Sequence, residues 1–279
     1  MNPTSNKLIN YCSGGLGNIL LPLSSCIFLS KKTDRELIIC NEPTFRCQIE
    51  ISDLFNENFK CINKNELENF QPLKIYGNRE DISFDKSLYS NGVLDKLSSS
   101  HGCTPINNLN LNDDSKNILI YHNDFIPQVN IEDSISELRK LKINDSIKEM
   151  SETFVHENRI SNETIGVHAR GTDFNSSLEI YLKQIENVIS ETPNCKIFFC
   201  SDEDSWEKVV SDKFPNNLIV RRKKSNLTRY NPNNPNWSNN VLTDKNSVID
   251  GFVDLIILSK CNLKIYNQHS SFSKLAKLL

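Results

Sequence analysis

The segment Leu-Ile-Asn-Tyr-Cys-Ser-Gly-Gly-Leu-Gly-Asn, residues 8–18, decides the fold class of this chain. Its first five residues form a largely apolar run that is typical of a buried strand, and a glycine-rich turn follows. Residues 19–30 are apolar and long enough for a helix, and residues 36–40 indicate a second strand. A strand, a turn, a helix and another strand in this order predict a parallel sheet.

The rest of the chain continues this alternation, although residues 42–115 are irregular apart from a short strand near 73–76. We predict strands at residues 117–122, 164–168, 196–200, 218–221 and 263–266, and helices at residues 143–156, 177–189, 247–259 and from 271 to the end. The pattern predicts an α/β protein with strand and helix alternation in each of two domains. We place these domains at residues 1–157 and 158–279.

The composition limits the classes of partner. The 279 residues carry a formal net charge of -3, so no global positive field would attract nucleic acid or an acidic membrane. No stretch approaches the ~20 apolar residues of a membrane span. The nine cysteines contain no C-x-x-C pair, and their odd number does not fit a complete disulfide framework. We therefore expect a reduced, cytoplasmic protein.

The glycine-rich turn after the first strand is a candidate anion site. Gly15, Gly17 and Asn18 lie where backbone N–H groups and the dipole of the following helix favour a phosphate. Leu20 breaks the G-x-G-x-x-G spacing of a dinucleotide-binding turn. The alternative interpretation is a tight turn that only allows close helix packing.

The strand at residues 164–168 delivers three polar side chains to the loop that follows it. His168, Arg170 and Asp173 lie within six residues. The planar fork and permanent charge of arginine suit bidentate capture of a phosphate, so we predict that Arg170 stabilises a departing anion. The alternatives are a surface pair between Arg170 and Asp173, and a histidine whose hydrogen bonds are satisfied within the core.

Two features near the C-terminus extend the candidate site. Ser270, Ser271 and Phe272 precede or open a helix, where hydroxyl and N–H groups either bind an anion or simply cap the helix. Asp254 lies in an apolar helix, where a carboxylate is costly unless donors pair with it. The N1–H and 2-amino edge of guanine offers two donors, and a buried salt bridge is the alternative.

A basic run lies between these features. Arg221, Arg222, Lys223 and Lys224 are consecutive. They either make a peripheral contact with an anionic acceptor or membrane surface, or form a solvated face.

Together these motifs resemble those of the GT-B fucosyltransferase superfamily, which includes bacterial α-1,2 enzymes, α-1,6 enzymes and protein O-fucosyltransferases. Residues 14–18 resemble its N-terminal glycine-rich loop, and residues 168–173 resemble its H-x-R-R-x-D motif. Residues 254–258, followed by 270–273, resemble its C-terminal nucleotide-binding segment. The resemblance covers the first 40 residues and most of 164–279.

The resemblance implies a GT-B fold, in which two Rossmann-like domains face each other across a cleft. The N-terminal domain would be on the acceptor side, and the C-terminal domain would bind the nucleotide sugar. It implies inverting transfer of L-fucose from GDP-fucose to a glycan hydroxyl, without a metal or a cofactor. Arg170 would contact the diphosphate, His168 and Asp254 would hold guanosine, and the segment containing Ser271 and Phe272 would wrap the phosphates. Asp173 is the candidate general base.

One position departs from the family pattern. Gly171 stands where many members have a second arginine, although some protein O-fucosyltransferases also lack it. Two other functions stay open. The turn at residues 14–18 suits a dinucleotide-dependent oxidoreductase or epimerase, and Gly171 suits a catalytically degenerate protein of the same fold that only binds glycan or nucleotide.

Overall fold

The N-terminal half of the computed structural model contains a parallel sheet. The structure describes residues 6–41, 47–70, 73–77, 102–171, 177–221, 223, 228–229, 241–242 and 244–279. Within these ranges the N-terminal sheet has six strands: β1 (Lys7–Cys12), β2 (Glu36–Asn41), β3 (Lys60–Ile62), β4 (Leu73–Gly77), β5 (Cys103–Thr104) and β6 (Asn117–Tyr121). Their order is β3-β2-β1-β6-β4-β5, and the strands pair in parallel.

The C-terminal half builds a second, smaller parallel sheet. Its described strands are β7 (Ile165–Ala169), β8 (Ile197–Ser201), β9 (Leu218–Ile219) and β12 (Asn262–Tyr266), in the order β12-β7-β8-β9. The short strands β10 (Thr228–Arg229) and β11 (Val241–Leu242) form a separate antiparallel pair. In each sheet the first strand of the chain, β1 or β7, has later strands on both of its sides, so the strand order switches direction beside it. Ligand crevices are expected outside the carboxyl ends of the strands at such a switch point.

Helices cover the sheets and connect the two halves. They are α1 (Leu16–Lys32), α2 (Ile51–Leu54), α3 (Ile131–Arg139), α4 (Asp145–Glu157), α5 (Leu178–Glu191), α6 (Asp204–Lys213), α7 (Lys245–Leu258) and α8 (Ser271–Leu278). Helix α1 packs against α3 and α8, and α4 packs against α7. Among the described residues, no helix has both the length and the apolar character that a membrane crossing requires.

One hydrophobic cluster runs through both halves of the chain. It joins Leu20 and Leu23 of α1 to Phe252 and Leu255 of α7 and to Leu275 of α8. These side chains are at most 2% exposed, so the apolar face of α1 is a shared core rather than the core of one sheet. The division at residue 157 stays a prediction.

Three buried cysteines pack as small apolar side chains, Cys12 and Cys200 in this cluster and Cys40 in a second cluster of the N-terminal sheet. Cys12, Cys40 and Cys200 are each at most 3% exposed. Burial raises the pKa of the Cys12 and Cys200 thiols well above the ordinary value, which keeps both groups protonated.

Most element predictions are confirmed to within a few residues, and the differences have local causes. Helix α1 begins at Leu16, three residues earlier than predicted, so Gly17 and Asn18 belong to its first turn. The strand predicted at 218–221 ends at Ile219, since Arg221 turns into a buried ion pair. The sequence analysis did not predict α3, whose buried face includes Ile135 and Leu138.

The first turn of α1 lies directly against the first turn of α8. An ideal Cβ atom on Gly17 would lie 2.6 Å from the carbonyl carbon of Ser271 and 2.7 Å from the backbone nitrogen of Phe272. Real Cβ atoms essentially never approach backbone atoms this closely, so only glycine allows the two helices to meet here. This contact brings α1, which follows β1, against α8, which follows β12.

The substitution Gly17→Ala tests this contact. Because the new methyl group would meet backbone atoms, we expect it to lower the free energy of unfolding by about 1–3 kcal/mol, as overpacking does. Gly251→Ala is the matched control: it adds a methyl group to a helical glycine with open space around it and should stabilise by about 1 kcal/mol. Urea denaturation measures both, and equal effects of the two substitutions would contradict the close approach.

Candidate functional site

The carboxyl ends of β1, β7 and β12 carry the three motifs that the sequence singled out. Residues 13–15 follow β1, residues 170–171 follow β7, and residues 267–270 follow β12. The strands β12 and β7 are neighbours in one sheet, and α1 and α8 join that sheet to β1. The structure therefore brings the three motifs together at one region of the surface.

Two helix N-termini meet within this region. Gly15 is the N-cap of α1 and Ser270 is the N-cap of α8, and the two helices touch at Gly17 and Ser271. Each N-terminus leaves backbone N–H groups unsatisfied and carries the positive end of a helix dipole. The two turns therefore lie against each other, and the close helix packing that was the alternative interpretation is present at Gly17. Anion binding by the turns stays a prediction.

The serine turn contributes one residue to capping. The side chain of Ser270 accepts a hydrogen bond from the backbone N–H of Ser273, so the capping alternative holds for Ser270. Ser271 is the first helical residue and lies against Gly17. Asn18 is partly buried in the first turn of α1, beside Gly14, whose φ of +84° is a conformation that favours glycine.

His168 connects the strand motif to α8. It is 4% exposed, its Nδ1 atom lies 2.6 Å from the Ser273 hydroxyl oxygen, and its ring centroid is 4.6 Å from that of Phe272. The Nδ1 atom of His168 therefore has a partner in the core. This agrees with the alternative interpretation, a histidine whose hydrogen bonds are satisfied within the core, for one of its two ring nitrogens. The same contacts place His168 beside Phe272. If both side chains contact one ligand, as the resemblance implies, they must lie close together in this way.

Arg170 follows the strand and is paired with an acid that the sequence analysis did not select. Its Nε atom lies 3.3 Å from Oδ2 of Asp202, while Oδ1 of Asp202 accepts a hydrogen bond of 2.8 Å from the N–H of Gly171. The Arg170 side chain is 29% exposed, so its guanidinium is accessible to a ligand. Asp173, the candidate general base, lies outside the described residues.

The glycine at position 171 has a steric cause. An ideal Cβ atom there would lie 2.6 Å from Cγ of Glu203 and 2.9–3.0 Å from ring carbons of Trp206. Both residues belong to the start of α6, which packs against the loop after β7. The space that a side chain at 171 would need is therefore filled in this chain.

Asp254 is buried and paired with a cation. Arg221 donates from Nε to Oδ1 of Asp254 at 2.8 Å and from a terminal nitrogen to Oδ1 of Asp250 at 2.7 Å. The Asp254 side chain is 4% exposed and that of Arg221 is 10% exposed. The buried salt bridge that the sequence analysis gave as the alternative is thus present.

The interpretation of residues 221–224 as a peripheral patch or a solvated face is wrong for Arg221 and Lys223. Lys223 donates to Glu207 and to the backbone oxygen of Ser201, both at 2.6 Å. Burial opposes the charge of Lys223, but the carboxylates of Asp254 and Glu207 outweigh it and raise the pKa of the ammonium group. Two buried carboxylates, those of Asp250 and Asp254, and the partly buried carboxylate of Glu207 draw the two cations inward. Arg222 and Lys224 lie outside the described residues.

Burial shifts the pKa of Glu207 in the opposite direction from that of Lys223, because it disfavours the charged form of both groups. It raises the pKa of this carboxyl group above the ordinary value, although Lys223 works against the shift. Within the described ranges, no three side chains of His, Cys, Asp or Glu are arranged to hold a metal ion.

Comparison with known proteins identifies the fold. The sequence matches no protein-family model and has no significant match among curated proteins. The structure is similar to that of NodZ α-1,6-fucosyltransferase soaked with GDP-fucose, with a TM-score of 0.65 and 17% identity over 99% of this chain and 92% of that one. NodZ from Bradyrhizobium gives a TM-score of 0.64 at 16% identity, over 99% and 93% of the two chains.

A second group of structures agrees. POFUT1 in complex with GDP-fucose matches with a TM-score of 0.58 and 15% identity, over 99% of this chain and 94% of that one. The chain has the fold of these fucosyltransferases. The predicted α/β fold class is confirmed, and the similarity extends across residues 45–160, where the sequence offered little to align.

Gly171→Ala tests the steric account of position 171. We expect it to lower the free energy of unfolding by about 1–3 kcal/mol, because the methyl group overlaps Glu203 and Trp206. In a Trp206→Ala background the cost should fall by at least about 0.5 kcal/mol, since contacting residues do not behave additively. Urea denaturation of the four proteins gives this coupling, and additive effects would show that Trp206 does not occupy the space.

Proposed function

We propose that this chain is an inverting, metal-independent glycosyltransferase that transfers L-fucose from GDP-fucose to a glycan hydroxyl. The observation that carries the proposal is the contact between two helix N-termini beside β7, the strand that Arg170 follows. Gly17 touches Ser271, and His168, two residues before Arg170, contacts Phe272 and Ser273. These contacts support our assignment of the three sequence motifs to one site.

The chemistry of nucleotide-sugar transfer explains why such a site is useful. A nucleoside diphosphate gains negative charge as its bond to the sugar breaks. Preorganised cations and N–H groups stabilise that developing charge without reorganising at the moment of reaction. We assign this task to the guanidinium of Arg170 and to the backbone N–H groups of residues 15–18 and 270–272.

Asp202 prepares Arg170 for this task. It bonds both the guanidinium and the next backbone N–H, which limits the directions in which the side chain of Arg170 can point. The pair remains partly exposed, so an incoming phosphate can share the guanidinium. Preorganisation of this kind lowers the entropic cost of binding.

The structural neighbours support the choice of donor. NodZ structures were obtained by soaking with GDP-fucose and by co-crystallisation with GDP, and a POFUT1 structure contains GDP-fucose. We infer that His168 and Asp254 hold the guanosine of the same donor in this chain. Asp173 is our candidate for the base that accepts the proton of the attacking hydroxyl.

The setting of the reaction follows from the same proposal. The acceptor is a glycan, bound on the side of the N-terminal sheet, and the reaction requires no cofactor beyond the donor substrate. We propose a cytoplasmic role in glycan biosynthesis.

Gly171 motivates a second candidate function. A protein that binds GDP but does not transfer the sugar would have the same fold and would lack one cation of the family motif. Release of GDP from GDP-fucose, measured with and without an oligosaccharide acceptor, separates the two: turnover supports the transferase, whereas GDP binding without turnover supports the binding protein.

Arg170→Ala tests the role of the guanidinium. We expect kcat to fall about 100- to 1,000-fold, the range for loss of one donor to a developing anion. Lys148→Ala is the control, because Lys148 forms an exposed i,i+4 pair with Glu152 on α4 and should change kcat little. Steady-state kinetics with GDP-fucose measures both variants. If Arg170→Ala kept most of the wild-type kcat, the assignment of the diphosphate to Arg170 would be wrong.

A further inference from the structure

Arg170 lies just beyond the end of the sheet. The pairing of β7 with β8 ends at Ala169, and its pairing with β12 ends at His168. The backbone N–H of Arg170 donates instead to the hydroxyl oxygen of Tyr181, at 3.1 Å. A side chain of α5 thus holds the backbone at the residue that carries the guanidinium.

The neighbouring backbone groups are held in the same way. The hydroxyl of Ser201 donates to the carbonyl oxygen of Ala169 at 2.9 Å, and Asp202 accepts from the N–H of Gly171 at 2.8 Å. Together with the bond to Tyr181, side chains from α5 and from the end of β8 fasten three consecutive residues. We call Tyr181, Ser201 and Asp202 the backbone clamp.

The two hydroxyls of the backbone clamp are fixed by packing and by further bonds. Tyr181 is 4% exposed and Ser201 is 5% exposed. The Tyr181 ring lies 5.9 Å from the Trp206 ring, between centroids, in a hydrophobic cluster that includes Ile185. The Ser201 hydroxyl also accepts from the N–H of Glu203 at 2.9 Å. Both hydroxyls are therefore fixed points, as the support of a functional side chain requires.

We propose that Tyr181 and Ser201 are positioning residues, which fix the backbone at Arg170 so that its guanidinium lies where charge develops on the leaving diphosphate. This inference rests on the proposed function. Both residues are buried and act through Arg170, without touching the substrate. Their effect on the rate can be large, because a displacement of about 1 Å in a reacting complex can cost about 100-fold.

Tyr181→Phe tests the proposal, because it removes the hydroxyl and leaves the ring in place. We expect kcat for transfer from GDP-fucose to fall about 10- to 100-fold. The KM for GDP-fucose should change by less than about 3-fold, because the charge that Arg170 stabilises appears mainly in the transition state. Steady-state kinetics on the full chain measures both constants.

Tyr76→Phe is the matched control. Tyr76 is also buried, at 1% exposed, and its hydroxyl donates to Asp113. Asp113 precedes β6, so it lies at the opposite edge of the N-terminal sheet from the glycine-rich turn after β1. Tyr76→Phe therefore removes a buried hydrogen bond far from Arg170 and should leave kcat close to the wild-type value.

Combination with Arg170→Ala separates positioning from a general structural effect. If Tyr181 acts through the guanidinium, Tyr181→Phe should cause no further loss of kcat in a protein that lacks it, since residues that act as a unit are not additive. A merely structural role would lower kcat by the same factor in both backgrounds. Ser201→Ala provides a second cycle of the same kind, and it decides the question if Tyr181→Phe does not fold.

The outcomes separate this inference from the proposed function. If the wild-type protein transfers fucose but Tyr181→Phe and Ser201→Ala keep its kcat, or lose the same factor with and without Arg170, the positioning role is overturned while the proposed function stands. If Arg170→Ala keeps the wild-type kcat, the inference fails together with the role of Arg170. If the wild-type protein does not turn over GDP-fucose, the proposed function fails, and the inference fails with it.

Discussion

The close approach of α1 and α8 at Gly17 and Ser271 is the contact on which the rest of the site depends. It joins the helix that follows β1 to the helix that follows β12, so the two sheets share one region of surface. Both helices point their N-termini into this region, and their free N–H groups require a partner. In the proposed function, a single diphosphate is the partner of both N-termini. Any side chain at position 17 would push the two turns apart.

The charged residues of the C-terminal half fall into two groups with different tasks. Arg170 is partly exposed and shares Asp202 with the backbone of Gly171, so it can contact a ligand. Arg221 is buried between two carboxylates, so it acts on the protein's own groups. Breaking a buried pair leaves an uncompensated charge, whereas an exposed pair contributes little to stability. Substitution of Arg170 should therefore affect chemistry more than folding.

The sequence predicted most strands, the positions of the three motifs and the fold class, because apolar runs and glycine-rich turns are local signals. It did not predict the partners. Asp202 lies 32 residues after Arg170, and its role follows only from the pairing of β7 with β8. Arg221 was interpreted as solvated because its sequence neighbours are charged, while its carboxylate partners lie 29 and 33 residues later. Long-range pairing of this kind leaves no periodic pattern.

Hydrogen exchange of backbone amides with and without GDP tests the central claim most directly. If one diphosphate binds across both helix N-termini, the amides of residues 15–18 and 270–273 gain protection together, at the same GDP concentration. Uridine diphosphate should protect both segments only at higher concentration, since it lacks the guanine edge. Protection of one segment without the other, or of neither at saturating GDP, would contradict a shared site.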